Sequence, residues 1–183
     1  MAITTLDISP EDSIKQQLET WEFEKATNFI NSSRQAVERF VVHLPLKSVV
    51  IDLGCGDGAA TEFFKEAGMT VIGVDVNRKK LAKNNTKTVR TDMVSYLEKA
   101  KSVPNVFIHH ALEHLPNPQE VLDLIEQKLE WNGRLYVEVP EGDHLHSVHH
   151  ATFDTPEDLC PKSFRIIDQG TGDGEQYVIA RKV

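Results

Sequence analysis

The chain has 183 residues, a formal net charge of −8 and 40% hydrophobic residues. That length fits one domain able to bury roughly 70% of its unfolded surface, so its core needs no covalent staples. The acidic balance argues against a broad nucleic-acid surface, Cys55 and Cys160 offer neither a disulfide framework nor metal-ligand spacing, and no apolar run reaches membrane-spanning length.

Residues 1–10 read as disordered or extended. Glu11 to Ile30 is helical in composition, with Ile14, Leu18, Trp21 and Phe29 at buried positions. Asn31-Ser32-Ser33 offers N-caps for a second helix, Arg34–Leu44, whose apolar face is Ala36, Val37, Phe40, Val41 and Leu44 before Pro45 stops it. From Ser48 onward strands and helices alternate, which predicts a parallel sheet with right-handed crossovers. The predicted strands are Ser48–Leu53, Thr70–Val74, Thr88–Thr91, Val106–His109 and Arg134–Val139. The predicted helices are Ala59–Ala67 with Gly68 as its stop, Arg78–Lys83, Val94–Ala100, and Pro118–Glu130 with Asn132-Gly133 as the following turn. Arg78-Lys79-Lys80 with Lys83 reads as a solvated helix face. Phe164–Asp168 and Gln176–Arg181 flank the turn Gly170–Gly174 and predict an antiparallel hairpin.

The stretch Ser48 to Gly58, SVVIDLGCGDG, carries the chemistry. An apolar run ends on Asp52 and enters the loop Gly54-Cys55-Gly56-Asp57-Gly58, and a second run, Val71-Ile72-Gly73-Val74, ends on Asp75. This is the layout of a nucleoside-binding α/β unit, with an acid placed to accept from both ribose hydroxyls. Gly54-x-Gly56-x-x-Ala59 also satisfies the dinucleotide pattern, but there a pyrophosphate sits on the loop. Asp52 and Asp57 crowd that place with negative charge. S-adenosylmethionine (SAM) has a ribose, no phosphate, a sulfonium and an ammonium group, and suits such a loop.

VIDLGCGDG resembles the first motif of class I SAM-dependent methyltransferases, especially the small type 11 and type 23 families, over about residues 46–183. The resemblance implies a Rossmann-like, doubly wound α/β fold in three αβα layers, with a seven-stranded, mostly parallel sheet and an antiparallel C-terminal strand. It implies an N-terminal helical cap at residues 1–45 and a SAM-binding domain at 46–183, in one compact whole. By the same resemblance Asp52 lies near the methionine end of SAM, Gly54, Cys55 and Gly56 pass beneath it, and Asp75 holds the ribose. Val76 and Asn77 lie beside the adenine edge, Asp92 and Met93 meet the adenine amine, and the backbone of His109 and His110 passes near the sulfonium. Cys55 reads as a small filler, with no basic neighbour to lower its pKa.

Phe107 to Pro118, with Leu112-Glu113-His114-Leu115-Pro116-Asn117-Pro118, resembles the family segment often written L-E-H-L-P-D-P, with Asn117 where relatives often have Asp. Glu113 and His114 are expected to pack the loop. Asp143 to His150 holds four histidines, His144, His146, His149 and His150, whose spacing matches no strong metal motif, so no metal is expected. Thr155, Pro156 and Asp158 form the N-terminal signature of a short helix beyond them.

The expected function is methyl transfer from SAM to an acceptor by in-line displacement, with S-adenosylhomocysteine as product and a small molecule as acceptor. If the acceptor must lose a proton, His110, His146, His149 and His150 are the candidate bases. A SAM-binding module without turnover and a nicotinamide oxidoreductase are the alternatives. Free thiols and the lack of a signal-peptide pattern lead us to expect a cytoplasmic protein without membrane contact.

Overall fold

The computed structural model describes residues 3–20, 27–77, 87–142 and 149–183. In chain order these form β1 (Ile3–Thr5), α1 (Pro10–Thr20), α2 (Thr27–Val41), β2 (Val49–Leu53), α3 (Ala59–Glu66), β3 (Thr70–Asp75) and β4 (Lys87–Arg90). There follow α4 (Met93–Lys99), β5 (Val103–His109), α5 (Pro118–Lys128), β6 (Leu129–Pro140), β7 (Ala151–Phe153), β8 (Phe164–Gly172) and β9 (Glu175–Lys182). Two short 3-10 turns lie at Leu112–His114 and Pro156–Leu159. The expected helix Arg78–Lys83 and its basic cluster lie outside the described residues.

Seven strands form one sheet in the order β4-β3-β2-β5-β6-β9-β8. All neighbours from β4 to β6 are parallel, and β9 runs antiparallel to both β6 and β8. Strand alternation sends successive side chains to opposite faces. Val50, Phe107 and Tyr136 pack on one face with Phe40 of α2 and Phe64 of α3. Ile51, Ile108 and Val137 pack on the other with Leu97 of α4 and Val121 and Ile125 of α5. The three expected layers follow. The chain reverses its walk across the sheet between β2 and β5, the place where such sheets open a crevice at their carboxyl ends.

Two expectations need correction. Asn31-Ser32-Ser33 does not start a helix, because α2 runs through it from Thr27 to Val41. Ser33 is buried and Ser32 faces His109, so packing overrides their capping preference. Of the stretch expected to be disordered or extended, Ile3–Thr5 is extended and pairs antiparallel with Ala151–Phe153 in a separate two-stranded sheet. The α5 helix ends at Lys128, and Asn132-Gly133 makes an irregularity inside β6, with Asn132 at φ 63°. Gly133 is required there, since a Cβ would stand 2.5 Å from the Pro104 carbonyl oxygen.

The C-terminal hairpin is tighter than its five-residue turn signal. Gly172 pairs with Glu175, leaving Asp173 and Gly174 as the turn, both at positive φ (56° and 82°). This matches the Asp-Gly preference of two-residue hairpins. No helix among the described residues is long and apolar enough to cross a membrane.

Candidate active site

The loop after β2 is built to approach its neighbours closely. Gly54 has φ +80°, and a Cβ there would lie 2.4 Å from Ala111 Cβ and 2.9 Å from Met93 Cε. Its N–H and that of Cys55 donate to the Val74 carbonyl (2.8 and 3.1 Å), tying the loop to the end of β3. The Asp75 carboxylate then fixes both sides of the crevice. It accepts from the Gly56 N–H at 2.9 Å and from the Asn77 N–H at 2.7 Å. A carboxylate has about four acceptor sites, so it can hold several donors at once.

Asp92 begins α4 as an N-cap, accepting from the Ser95 N–H at 2.7 Å. Burial would raise its pKa, but the Ser95 hydrogen bonds outweigh it and hold the carboxylate below its ordinary value. Asp52 lies on the α3 side of the sheet, 2% exposed, and accepts from Thr61 Oγ1 at 2.9 Å. Burial, aided by the nearby Asp75 charge, pushes it up to about 7 against the Thr61 hydrogen bond. Cys55 is buried beside Gly73, and burial with the charges of Asp52 and Asp75 pushes its thiol up, as befits an inert filler.

These groups surround a cavity of about 380 Å³ at the carboxyl ends of β2, β3 and β5. Gly54, Asp75, Val76, Asn77, Asp92 and Met93 all line it. Asp52, Cys55, Gly56, His109 and His110 stand outside its lining. Glu11, Ser13 and Ile14 of α1 close one wall of the cavity, and Ser13 Oγ donates to the His114 carbonyl at 2.8 Å. A polar serine buried to 1% on an otherwise amphipathic helix has no signal in the sequence beyond its spacing.

Next to the cavity lies a buried network of imidazoles and carboxylates. His109 Nε2 is 3.0 Å from Ser32 Oγ and 3.3 Å from Glu138 Oε1. Glu138 Oε2 accepts from Tyr136 at 2.5 Å and pairs with Arg39. Burial lowers the His109 pKa in spite of the Glu138 carboxylate, whereas Glu138 itself is held low by its imidazole, phenol and guanidinium partners against burial. His110 adopts a left-handed backbone, φ 49°, and its ring bridges two acids: Nδ1 is 3.5 Å from Glu113 and Nε2 3.2 Å from Glu175. Burial acts to lower His110, but the two carboxylates prevail and raise it to about 10. Arg39, Glu138 and Glu175 escaped the sequence reading. The acid in the buried run Leu135–Val139 was the available signal for Glu138.

Of the histidine loop, His146 lies outside the described residues. His149 is half-buried, with its ring 4.9 Å from that of His114. His150 is buried and threads the backbone: its N–H donates to the Glu113 carbonyl and its carbonyl accepts from Leu6, both at 2.7 Å. Thr155 forms the expected capping box, with its N–H 3.1 Å from Asp158 Oδ2.

The model of the family described as Methyltransferase domain matches residues 20–165. The ubiquinone biosynthesis O-methyltransferase of Aeromonas salmonicida is 25% identical over 143 residues, covering 61% of this chain and 58% of that protein. The trans-aconitate 2-methyltransferase of Rhizobium rhizogenes is 26% identical over 131 residues, covering 67% of this chain and 51% of that one. The chain thus spans little more than half the length of these curated relatives. The solved structure of Burkholderia thailandensis 1,6-didemethyltoxoflavin-N1-methyltransferase, with S-adenosylhomocysteine bound, shares the fold: TM-score 0.74 and 22% identity over 99% of this chain and 95% of that one. With the family model spanning residues 20–165 of its 183, this chain belongs to the methyltransferase-domain family of class I SAM-dependent methyltransferases.

Proposed function

We propose that this chain binds SAM in the 380 Å³ cavity and transfers its methyl group to a small-molecule acceptor. The observation that carries the reading is Asp75: a carboxylate at the end of β3, fixed by two backbone N–H groups and lining the cavity beside Gly54 and Asp92. In this reading Asp75 takes the ribose hydroxyls, and Val76, Asn77, Asp92 and Met93 surround the adenine. Gly54, Cys55 and Gly56 carry the methionine end toward Asp52, and the backbone of His109 and His110 borders the sulfonium. Residues 1–45 act as the cap, a role supported by the α1 wall of the cavity.

Chemistry then follows from alignment. The acceptor's lone pair attacks the methyl carbon opposite the sulfur, and S-adenosylhomocysteine leaves neutral at sulfur. Holding the reactants in line contributes roughly 7–11 kcal/mol in favourable cases. Both ring nitrogens of His110 face carboxylates, which supports reading it as a fixed group beside the site. The small-molecule class is supported by the names of the relatives and by a net charge of −8, which opposes nucleic acid. Two buried free thiols, Cys55 and Cys160, support a reducing, cytoplasmic setting.

Calorimetry with SAM, S-adenosylhomocysteine and NAD tests the reading. The first two should bind stoichiometrically and NAD should not. Tight NAD binding with no response to S-adenosylhomocysteine would end it.

A further inference from the structure

We propose that Glu113, His114 and His149 form a binding site for a divalent cation of the zinc class. The site goes beyond the cofactor reading, and cation binding does not depend on it. One ligand atom from each residue lies within 4.8 Å of the others, and His114 Nε2 stands 3.8 Å from Glu113 Oε1. Ligands about 2.0–2.1 Å from a tetrahedral ion are about 3.4 Å apart, so small side-chain rotations close the set. Two imidazoles and one carboxylate form a donor set that suits borderline ions and leaves a fourth position open.

Glu113 supplies an independent reason. It is 2% exposed, and among the described residues neither of its carboxylate oxygens accepts a hydrogen bond. A buried carboxylate is costly unless positive charge compensates it, and the His110 imidazole at 3.5 Å supplies part of that charge. The rings of His114 and His149 converge beside it, 4.9 Å apart at 61°. His110, 3.5 Å from the same carboxylate and backed by Glu175, gives this ligand the outer support that metal-bound carboxylates use. The neighbouring group of His109, His110 and Glu138 is less suited, because the Arg39 guanidinium on Glu138 cannot give up its proton to an incoming cation, whereas the imidazoles around Glu113 can.

Sequence spacing concealed this set, since its ligands come from the turn after β5 and the segment before β7. The expectation of no metal weighed only the histidines of residues 143–150, by their spacing and the lack of nearby cysteines. His114 also lines the cavity, so the open position faces ligand space. On the methyltransferase reading, that position takes an oxygen of the acceptor and lowers its pKa, replacing a side-chain base.

Tag-free protein stripped with a chelator and titrated with Co²⁺ and Zn²⁺ tests the proposal. One saturable site per chain, tetrahedral cobalt absorption and a chelator-reversible rise in melting temperature are expected. His149→Ala, at a half-buried position, should weaken cobalt binding about tenfold or more while circular dichroism is retained, and Glu113→Gln should abolish the cobalt absorption. Absence of a saturable site in the wild type, or unchanged cobalt affinity in His149→Ala, overturns it. S-adenosylhomocysteine titrated in parallel keeps the two readings apart: failure of that ligand alone refutes the cofactor assignment and leaves the cation site standing.

Discussion

Asp75 and Asp92 are both acids at strand ends beside one cavity, yet their surroundings assign them different weights. Asp75 pins the backbone of Gly56 and Asn77 and lines the cavity, whereas Asp92 spends one oxygen capping α4. Hydrogen bonds to a charged group contribute about 1.5–3 kcal/mol. Asp75→Ala should therefore weaken S-adenosylhomocysteine binding by about tenfold or more, with Asp92→Ala weaker in effect and costing about 1 kcal/mol of stability through the lost cap. Calorimetry and urea denaturation on the two variants check the order, and an unchanged dissociation constant in a folded Asp75→Ala protein removes the ribose role. Asp52 makes the pH prediction. Its pKa in the fold is raised from 3.8 to about 7, so its contribution to stability is full below 3.8 and is lost as pH rises through about 7. A ligand ammonium placed beside it favours the charged form. SAM affinity should thus increase from pH 6 to pH 8 with proton release, seen as a binding enthalpy that varies with buffer ionisation. Asp52→Asn should flatten that dependence, and a wild-type enthalpy independent of buffer would count against the placement.

At the level of elements, what could be read from sequence depended on whether local chemistry or a distant partner fixed the structure. The β2 loop was legible because β-branched residues, glycines and acids state their roles locally. Gly68, Pro118 and Thr155 marked helix ends for the same reason. The α2 start was misread because Ser32 faces His109 of the sheet and Ser33 is buried inside the helix instead of capping it. β1 and β7, three residues each, carry too little pattern to announce themselves and exist through their pairing. The hairpin shows how a local rule acts under a distant one. Gly174 has φ +82° with open space around its would-be Cβ, while a Cβ on Gly170 would meet the Tyr177 ring at 2.9 Å. Gly174→Ala should then cost only the left-handed backbone penalty, about 1–2 kcal/mol, and Gly170→Ala should add a packing cost. Urea midpoints of the two variants measure the difference. Equal losses of less than about 0.5 kcal/mol in both would contradict the turn geometry.

Across the whole molecule, the crevice is assembled from segments far apart in sequence, which is why the motif named residues of its glycine-loop side, while the α1 side was legible only as a general cap over residues 1–45. The motif supplied Gly54 and Asp75, but α1, the Ser13–His114 bond and the pairing of β1 with β7 belong to tertiary structure alone. A protein lacking residues 1–20 should keep the sheet, whose buried core residues begin at Ala36, with Ile3 packing only at the edge of one cluster. It should bind S-adenosylhomocysteine at least several-fold more weakly for want of that wall. Far-ultraviolet circular dichroism with calorimetry checks both halves, and full affinity in the shortened protein would remove the cap role.

Strand order has a consequence for how the molecule is made. β9 follows every other strand in the chain, yet it sits inside the sheet, between β6 and β8. During synthesis β6 therefore emerges with a bare edge of backbone donors and acceptors and must wait for Glu175–Lys182 to cover it. Exposed edges recruit other strands. The interval between β6 and β9 is thus the window in which this chain is open to mispairing, and nascent chains stalled at Gly174 should be the ones that chaperones and proteases find.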